Sequence, residues 1–205
     1  DLDGTLIPLE NHTANLRDLS ILSDTLVARD IELVFATGRH FASVKQAIDE
    51  MSLPLPKWII CDVGTSVFRY DAQGKRFVAD ESYPQHLTAI LGNFETEDLA
   101  ERLSVWPELR KQEAEKQGQF KLSYYADINA DQLPSLVASI QRLLADLAAP
   151  YTVIGSMDPF TGDGLVDLLP QSVSKAYALQ WWAQQTATRQ QDIVFAGDSG
   201  NDTAA

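Results

Sequence analysis

Three short, almost continuous apolar runs determine what this chain of 205 residues can fold into. They lie at residues 31–36, 58–61 and 192–196, and each is followed by a polar turn that contains glycine. Strands that are apolar along their length are buried on both faces. Their alternation with helices is typical of a parallel sheet covered on both sides. The sequence therefore predicts an α/β fold.

Stretches with helical spacing of apolar residues lie between these runs. Residues 11–29 form the first, and residues 44–51 form the second, which Pro54 and Pro56 end. A further helix is predicted to begin at Lys175 and to lead into the third apolar run. This order of helices and strands supports the parallel sheet.

The pattern changes between the second and third apolar runs. The predicted elements here are a β-hairpin at 67–78, a mostly helical stretch at 83–106, an alternating strand at 120–125, a helix at 133–147, and strands at 151–154 and 165–169. Strands that alternate in polarity predict an antiparallel sheet with one face in water. Because the parallel pattern returns afterwards, we expect an inserted α+β domain at 82–170 within a core of 1–81 and 171–205.

The composition narrows the possible partners. With 16 basic and 29 acidic residues, the chain carries a formal net charge of −13, which argues against nucleic acid or an anionic membrane as a partner. One cysteine excludes an intramolecular disulfide, and one cysteine with three histidines makes no Cys/His metal cluster. No apolar run approaches the ~18 residues of a membrane span. We expect a cytoplasmic protein whose anionic ligands need locally placed cations.

The first five residues, Asp1-Leu2-Asp3-Gly4-Thr5, place two carboxylates two positions apart before a glycine turn. Both can point into one pocket, which the main-chain carbonyl of Asp3 can also face. Asp1 is the candidate nucleophile, since a carboxylate can attack phosphorus to give an acyl phosphate. Asp3 is the candidate general acid and base. Mg²⁺ suits this site, because it is usually bound by one or two carboxylates plus a substrate phosphate. The alternative is a solvated acidic loop.

Three further polar clusters lie at comparable places in the predicted fold. They are Thr37 with Gly38 after the first apolar run, Lys175 at the start of a helix, and Asp198 with Asn201 and Asp202 after the third run. Ligands of open α/β sheets bind outside the carboxyl ends of the strands, so we expect these clusters to converge with Asp1. Thr37 and the Gly38 amide can donate to a phosphoryl oxygen, and Lys175 can neutralise its charge. The three residues of the last cluster can complete the metal site.

Each cluster also has a purely structural interpretation. Thr37 is a suitable N-cap residue for the helix that follows it. Lys175 can be one exposed lysine among several. Residues 197–202 can form a polar turn or bind Ca²⁺, although they lack the twelve-residue spacing and terminal Glu of an EF-hand. The presence of all the clusters together favours the catalytic interpretation.

The order DLDGT, ATGR, a lysine that opens a helix, and GDSGND resembles the four motifs of the haloacid dehalogenase superfamily of aspartate-nucleophile phosphatases. This resemblance spans almost the whole chain. It implies a Rossmann-like parallel sheet core, with the inserted α+β domain as a cap. Residues 118–125 and 164–171 are similar to the sucrose-phosphate phosphatase branch. That similarity implies Mg²⁺-dependent hydrolysis of a small sugar phosphate, with sucrose 6-phosphate or a similar disaccharide phosphate favoured, through an aspartyl-phosphate intermediate.

Two features depart from that resemblance. Gly4 follows the second aspartate, where plant and cyanobacterial sucrose phosphatases have asparagine, and this points to a different sugar phosphate. The superfamily also places the nucleophile after a central strand of the core, and that strand would precede Asp1. We therefore expect the natural chain to begin earlier.

Two other functions stay open at this point. A phosphosugar mutase, which the same superfamily fold supports, would move phosphate between sugar positions. A non-catalytic sugar-phosphate sensor is the second, since a related domain lies at the end of some sucrose-phosphate synthases.

The choice of sugar is expected to come from the inserted domain, which we predict closes over the pocket. Its segment 113–125 offers Gln119 and Lys121 as candidate substrate-binding residues. The alternative for this segment is a solvated edge strand whose charges keep the protein soluble.

Overall fold

The computed structural model describes residues 1–8, 14–94, 96–158, 161–198 and 202. The chain divides into two compact units. Unit 1 consists of Asp1–Tyr83 and Ser174–Ala205, and unit 2 consists of Pro84–Val173. Within the described ranges, no helix is long and apolar enough to cross a membrane.

Helices and strands alternate up to the strand at Trp58–Cys61, and most of the later strands follow one another directly. In chain order they are α1 (Ala14–Ala28), β1 (Val34–Ala36), α2 (Phe41–Met51), β2 (Trp58–Cys61), β3 (Ser66–Asp71), β4 (Arg76–Ala79), α3 (Ser82–Leu91), α4 (Thr96–Leu103), β5 (Leu109–Lys111), β6 (Leu122–Ala126), α5 (Leu133–Asp146), β7 (Tyr151–Met157), β8 (Gly164–Pro170) and α6 (Lys175–Gln185). Single turns lie at Asp62–Gly64, Ala114–Lys116 and Gln190–Asp192.

Unit 1 contains a four-stranded sheet with the strand order β1-β2-β3-β4. The first two strands are parallel and are connected through α2, as parallel strands require a crossover. The predicted hairpin is confirmed as β3 and β4, and it extends this sheet by two antiparallel strands. The α/β class predicted from the apolar runs is therefore confirmed.

The apolar core of unit 1 lies between the sheet, α2 and the first residues of the chain. Its buried members are Leu2, Ile7, Phe35, Val44, Ala47, Leu53, Ile59 and Cys61. Leu2 is 0% exposed, so the two aspartates that flank it are attached to a fully buried side chain. Phe41, the first residue of α2, stacks on Phe68 of β3 with ring centroids 3.8 Å apart. This packing holds the start of α2 on the sheet.

The strand predicted at 192–196 is wrong for this structure. Among the described residues 193–198 no strand is present, and Val194 is 97% exposed. An apolar run predicts burial, but a strand also needs a hydrogen-bonded neighbour along its edge. No partner strand for residues 193–198 is present among the described residues. The segment is instead linked to Asp1, whose amino nitrogen donates to the Ala196 carbonyl at 2.8 Å.

The strand predicted at 31–36 is confirmed only in its second half, as β1. Ile31 is 51% exposed and lies before the strand. The parallel partner explains this limit, because the register pairs β2 with residues from Val34 onwards. Residues 31–33 have no partner strand among those described.

Unit 2 contains an antiparallel sheet with the strand order β5-β6-β8-β7, as the alternating pattern predicts. Helix α5 packs on β7, and Gly155 allows this close approach. A Cβ atom at Gly155 would lie 2.6 Å from Val137 Cγ2 of that helix. Ile140, Val166 and Leu168 are 0% exposed and form part of the core of the unit.

The wet face predicted for the strand at 120–125 is wrong. β6 lies between β5 and β8, and its residues Leu122, Ser123 and Tyr124 are all buried. The polar member, Ser123, is satisfied because its hydroxyl donates to the Asp167 carboxylate of the neighbouring strand. Paired polar groups can therefore be buried where the sequence pattern indicates water. The edge-strand alternative does not hold for β6.

We predict that Leu168→Ala destabilises the protein by about 2–5 kcal/mol, because it leaves a cavity in the middle of an interior strand. Urea unfolding followed by circular dichroism measures this loss. Val105→Ala is the matched control in unit 2, since Val105 is 71% exposed. The control should change the stability by less than ~0.5 kcal/mol. Similar losses for the two variants would contradict this description of the core.

Candidate active site

Lys175 begins α6 and is 3% exposed. Its position is fixed by Ser174, whose hydroxyl caps the helix by accepting a hydrogen bond from the Tyr177 amide at 3.1 Å. The Lys175 ammonium lies 3.1 Å from Asp1 Oδ1 and 2.9 Å from Asp202 Oδ1. A buried ammonium group requires such partners. The alternative of an exposed lysine is therefore wrong.

Asp1, Asp198 and Asp202 form a carboxylate cluster, in which one oxygen of each lies within 4.8 Å of the others. Their side chains differ in burial, since Asp202 is buried and Asp198 is exposed. One lysine cannot balance three carboxylates, so the cluster keeps an excess of negative charge. Hard oxygen ligands with such an excess suit a divalent cation such as Mg²⁺. Asn201, the other predicted ligand of this loop, lies outside the described residues.

Gly4 lies in the turn that follows Asp1 and Asp3, and its φ is +74°. Its amide donates to the Ile7 carbonyl at 2.8 Å, which closes the turn. A Cβ atom at this position would lie 2.0 Å from Asp198 Oδ2. The close approach of Asp198 to the loop thus depends on a residue without a side chain.

Asp3 is not a member of the carboxylate cluster. Its two oxygens accept hydrogen bonds from Nε and Nη2 of Arg39, at 2.8 and 2.6 Å. Both side chains are about one quarter exposed, at 27% for Asp3 and 25% for Arg39. Arg39 follows Thr37 and Gly38 directly, but no role for it was predicted from the sequence. The positive charge of Arg39 in the turn after β1 was the one feature of the sequence that could have indicated an ion pair with an aspartate of the site.

Thr37 is buried, and its hydroxyl oxygen accepts a hydrogen bond from the Arg39 amide at 3.2 Å. The N-cap interpretation of Thr37 is wrong, because α2 is capped by His40, whose Nδ1 accepts from the Ser43 amide. Gly38, between Thr37 and Arg39, is exposed. Thr37 and Gly38 therefore form the loop that links β1 to the start of α2.

The predicted substrate-binding residues lie in unit 2, just before β6. Gln119 is exposed, whereas Lys121 is 4% exposed. The same segment contains a charged network around Tyr125. Its hydroxyl accepts from Lys116 Nζ at 2.6 Å and donates to Glu113 Oε2 at 2.9 Å. The Arg110 guanidinium carbon lies 4.5 Å from the centre of the ring.

The pKa of Glu113 is lowered to about 2, from an ordinary value of 4.5. The largest cause is the hydrogen bond from the backbone of Glu113 itself, followed by those from Tyr125 and Lys116. Hydrogen bonds to a carboxylate favour its charged form.

A family model for sucrose-6F-phosphate phosphohydrolase matches residues 1–205. A protein of Nitrosococcus oceani, described as a HAD-like (haloacid dehalogenase-like) hydrolase, is 34% identical over 203 residues, which cover 98% of this chain and 54% of that protein. The mannosylfructose-phosphate phosphatase of Agrobacterium fabrum is 30% identical over 206 residues, which cover 100% of this chain and 75% of that protein. The chain thus spans about half the length of the first relative.

The solved structure of the sucrose-phosphatase from Synechocystis sp., in complex with sucrose and phosphate, is similar to this one. The TM-score is 0.76 at 24% identity, over 92% of this chain and 72% of that one. A likeness at this identity shows the fold. The expectation of a Rossmann-like core with an inserted cap is confirmed.

We predict that Tyr125→Phe raises the pKa of Glu113 towards 4.5, because one hydrogen bond to the carboxylate is lost. A folded-state pKa below the unfolded value stabilises the protein above pH 4.5, and this contribution is lost as the pH falls towards 2. Titration of the side-chain carboxyl by ¹³C NMR measures the pKa. Tyr124→Phe, on the opposite face of β6, is the control. An unchanged pKa in Tyr125→Phe would exclude the network.

Proposed function

Because the chain belongs to the sucrose-6F-phosphate phosphohydrolase family of the haloacid dehalogenase superfamily, we propose that it is a phosphatase of small sugar phosphates. Sucrose 6-phosphate or a similar disaccharide phosphate is the favoured substrate. One observation carries the proposal: a buried lysine contacts the candidate nucleophile, Asp1, and a second carboxylate of the same cluster. Such an arrangement is suited to binding a phosphoryl group beside an attacking oxygen.

The contacts of Asp1 support an assignment of the attacking oxygen. Oδ1 accepts a hydrogen bond from the Leu2 amide at 2.8 Å and lies 3.1 Å from the Lys175 ammonium. These contacts hold the carboxylate in one orientation and leave the attack on phosphorus to Oδ2. The new bond from Oδ2 to phosphorus gives an acyl phosphate, and the bond from phosphorus to the sugar oxygen breaks.

Asp3 is assigned the proton transfers. Its carboxyl group donates a proton to the departing sugar oxygen, and then accepts one from the water that attacks the acyl phosphate. The second step releases inorganic phosphate and restores the carboxylate of Asp1. In the structure Asp3 is bound to Arg39, which orients the carboxylate and has to release one oxygen for this role.

Mg²⁺ is the proposed cofactor, and the donor set of the carboxylate cluster fits it. Asp1, Asp198 and Asp202 would hold the ion, with Asn201 and the main-chain carbonyl of Asp3 as further candidates. When bound, the ion would reduce the repulsion between these carboxylates and an anionic substrate. Thr37 and Gly38 are assigned to the phosphoryl oxygens together with Lys175.

We predict that Asp1→Asn and Asp3→Asn fail in different ways. The first should lower phosphate release by at least ~10³-fold without forming an acyl phosphate, because the nucleophile is lost. The second should lower turnover by about 10²–10⁴-fold, as expected for a general acid and base, and should allow some intermediate to accumulate. Acid quenching with ³²P-labelled substrate measures the trapped phosphate.

Asp18→Asn is the control, because Asp18 is an exposed carboxylate on α1. Equal and substantial residual turnover in the Asp1 and Asp3 variants would contradict the assigned roles. The same assays distinguish the other functions. A mutase would transfer the ³²P-labelled phosphate to a second position of the sugar. A sensor would release no phosphate with or without Mg²⁺.

Selection among sugars is assigned to unit 2. The lysine and carboxylates of unit 1 recognise features that every phosphomonoester shares, so discrimination requires other groups. Gln119 is exposed and can donate to and accept from sugar hydroxyls. Lys121 is the second candidate, and it is 4% exposed.

We predict that Gln119→Ala and Lys121→Ala raise the KM for the preferred sugar phosphate by roughly tenfold, the equivalent of one lost polar contact. The KM for p-nitrophenyl phosphate should change much less, because it lacks the sugar. A panel of phosphorylated sugars identifies the preferred substrate first. Lys111→Ala, which removes an exposed lysine from β5, is the control. Equal changes for both substrates, or none, would exclude these residues as the selector.

A further inference from the structure

The turn Asp62–Gly64, which follows β2, has an unusual backbone. Asp62, Val63 and Gly64 all have positive φ values, of 52°, 59° and 97°. A β-branched residue such as valine disfavours this left-handed region strongly. Strained backbone of this kind persists only where the surrounding contacts enforce it, and it clusters at functional sites. Here the turn contacts the backbone of two proposed phosphate-binding residues, Thr37 and Lys175.

The first set of contacts fixes the loop that contains Thr37. The Asp62 amide donates to the Arg39 carbonyl at 2.9 Å, and the Val63 amide donates to the Thr37 carbonyl at 3.3 Å. Thr65 closes the turn from the other end, since its amide and its hydroxyl both donate to the Asp62 carbonyl, at 3.2 and 2.9 Å. The left-handed conformation aims two consecutive amides at the loop.

The second contact is with the start of α6. A Cβ atom at Gly64 would lie 2.3 Å from the Ser174 carbonyl oxygen and 2.9 Å from the Lys175 amide nitrogen. The backbone of Gly64 thus packs directly on the backbone that carries Lys175. Only glycine permits both this approach and a φ of 97°.

Tyr83 makes a third set of contacts with the Asp62–Gly64 turn. Its hydroxyl donates to the Gly64 carbonyl at 2.6 Å. Its ring is 0% exposed and lies 4.5 Å from the ring of Trp181 on α6. Burial raises the pKa of Tyr83, so the hydroxyl stays a neutral donor at physiological pH. Tyr83 therefore connects the turn to the helix that begins with Lys175.

We propose that the Asp62–Gly64 turn, held by Tyr83, positions Thr37 and Lys175 relative to each other so that both reach the same phosphoryl group. This inference rests on the proposed phosphatase function, and it assigns Tyr83 and Gly64 as positioning residues. Neither residue touches the substrate. A shift of the turn would move the two phosphate-binding residues independently, and misplacement by about 1 Å can cost a reaction roughly 10²-fold in rate.

The test compares Tyr83→Phe with Tyr151→Phe. Both variants keep a buried ring and lose one hydroxyl hydrogen bond, since Tyr151 bonds to the Thr96 hydroxyl at 2.7 Å in unit 2. Similar shifts of the urea midpoint are therefore expected for the two. Only Tyr83→Phe should lower kcat/KM, by about tenfold. The loss should be equal for the sugar phosphate and for p-nitrophenyl phosphate, because the phosphoryl group is common to both.

A second comparison uses Gly64→Ala as the test variant and Gly162→Ala as its control. Gly162 also has a positive φ, of 76°, but no other atom lies within 4 Å of a Cβ placed there. Both variants strain the backbone, whereas only Gly64→Ala pushes on the start of α6. It should lower kcat/KM at least as much as Tyr83→Phe does, and Gly162→Ala should leave it unchanged.

Calorimetric titration with inorganic phosphate and Mg²⁺ separates this inference from the proposed function. Weaker phosphate binding in Tyr83→Phe than in Tyr151→Phe supports the inference, even if the wild type hydrolyses no sugar phosphate and the proposed function fails. Equal phosphate affinity and equal kcat/KM in the two tyrosine variants would overturn the inference while leaving the function intact. A wild type that binds no phosphate would overturn both.

Discussion

The arrangement of the site depends on one buried ammonium group. Lys175 contacts Asp1 and Asp202, which lie at opposite ends of the sequence, and it is 3% exposed. Without a cation the carboxylates would repel one another at this distance. Removal of one partner from a buried ion pair typically costs about 3–5 kcal/mol, because the other charge is left without compensation. The same group that organises these residues is thus the one proposed to bind phosphate.

Much of the fold could be predicted from local patterns. Apolar runs and turn residues identified β1, β2 and the hairpin, because these signals depend on burial and on short-range geometry. The predictions that failed were those that depended on which strand or side chain a residue is paired with. Residues 192–196 are as apolar as a buried strand, but pairing depends on a neighbour that the pattern does not describe. Ser123 suggested a solvent-exposed face of the strand. Its hydrogen bond to Asp167 depends on the pairing of β6 with β8, which the sequence pattern does not show.

The proximity of Asp1, Lys175, Asp198 and Asp202 also followed from the sequence motifs. The expected reason, the meeting of parallel strand ends at one edge of a sheet, does not hold for Asp198, because the described residues 193–198 contain no strand. The pairing of Asp3 with Arg39 did not follow, since it depends on the directions of two side chains. The left-handed conformation of Val63 could not be predicted either. Valine disfavours that conformation, and only the contacts with neighbouring segments impose it.

Gly4 lies beside the carboxylate cluster of the candidate active site. Gly4 contacts the Asp198 carboxylate, so a side chain here acts first on the carboxylate cluster. An asparagine at this position would require Asp198 to move, since a Cβ atom would lie 2.0 Å from its oxygen. The glycine therefore bears on the geometry of the proposed metal site. Under the proposed function, residues outside this cluster, such as Gln119 in unit 2, are the ones that can change with the sugar while the reaction stays the same.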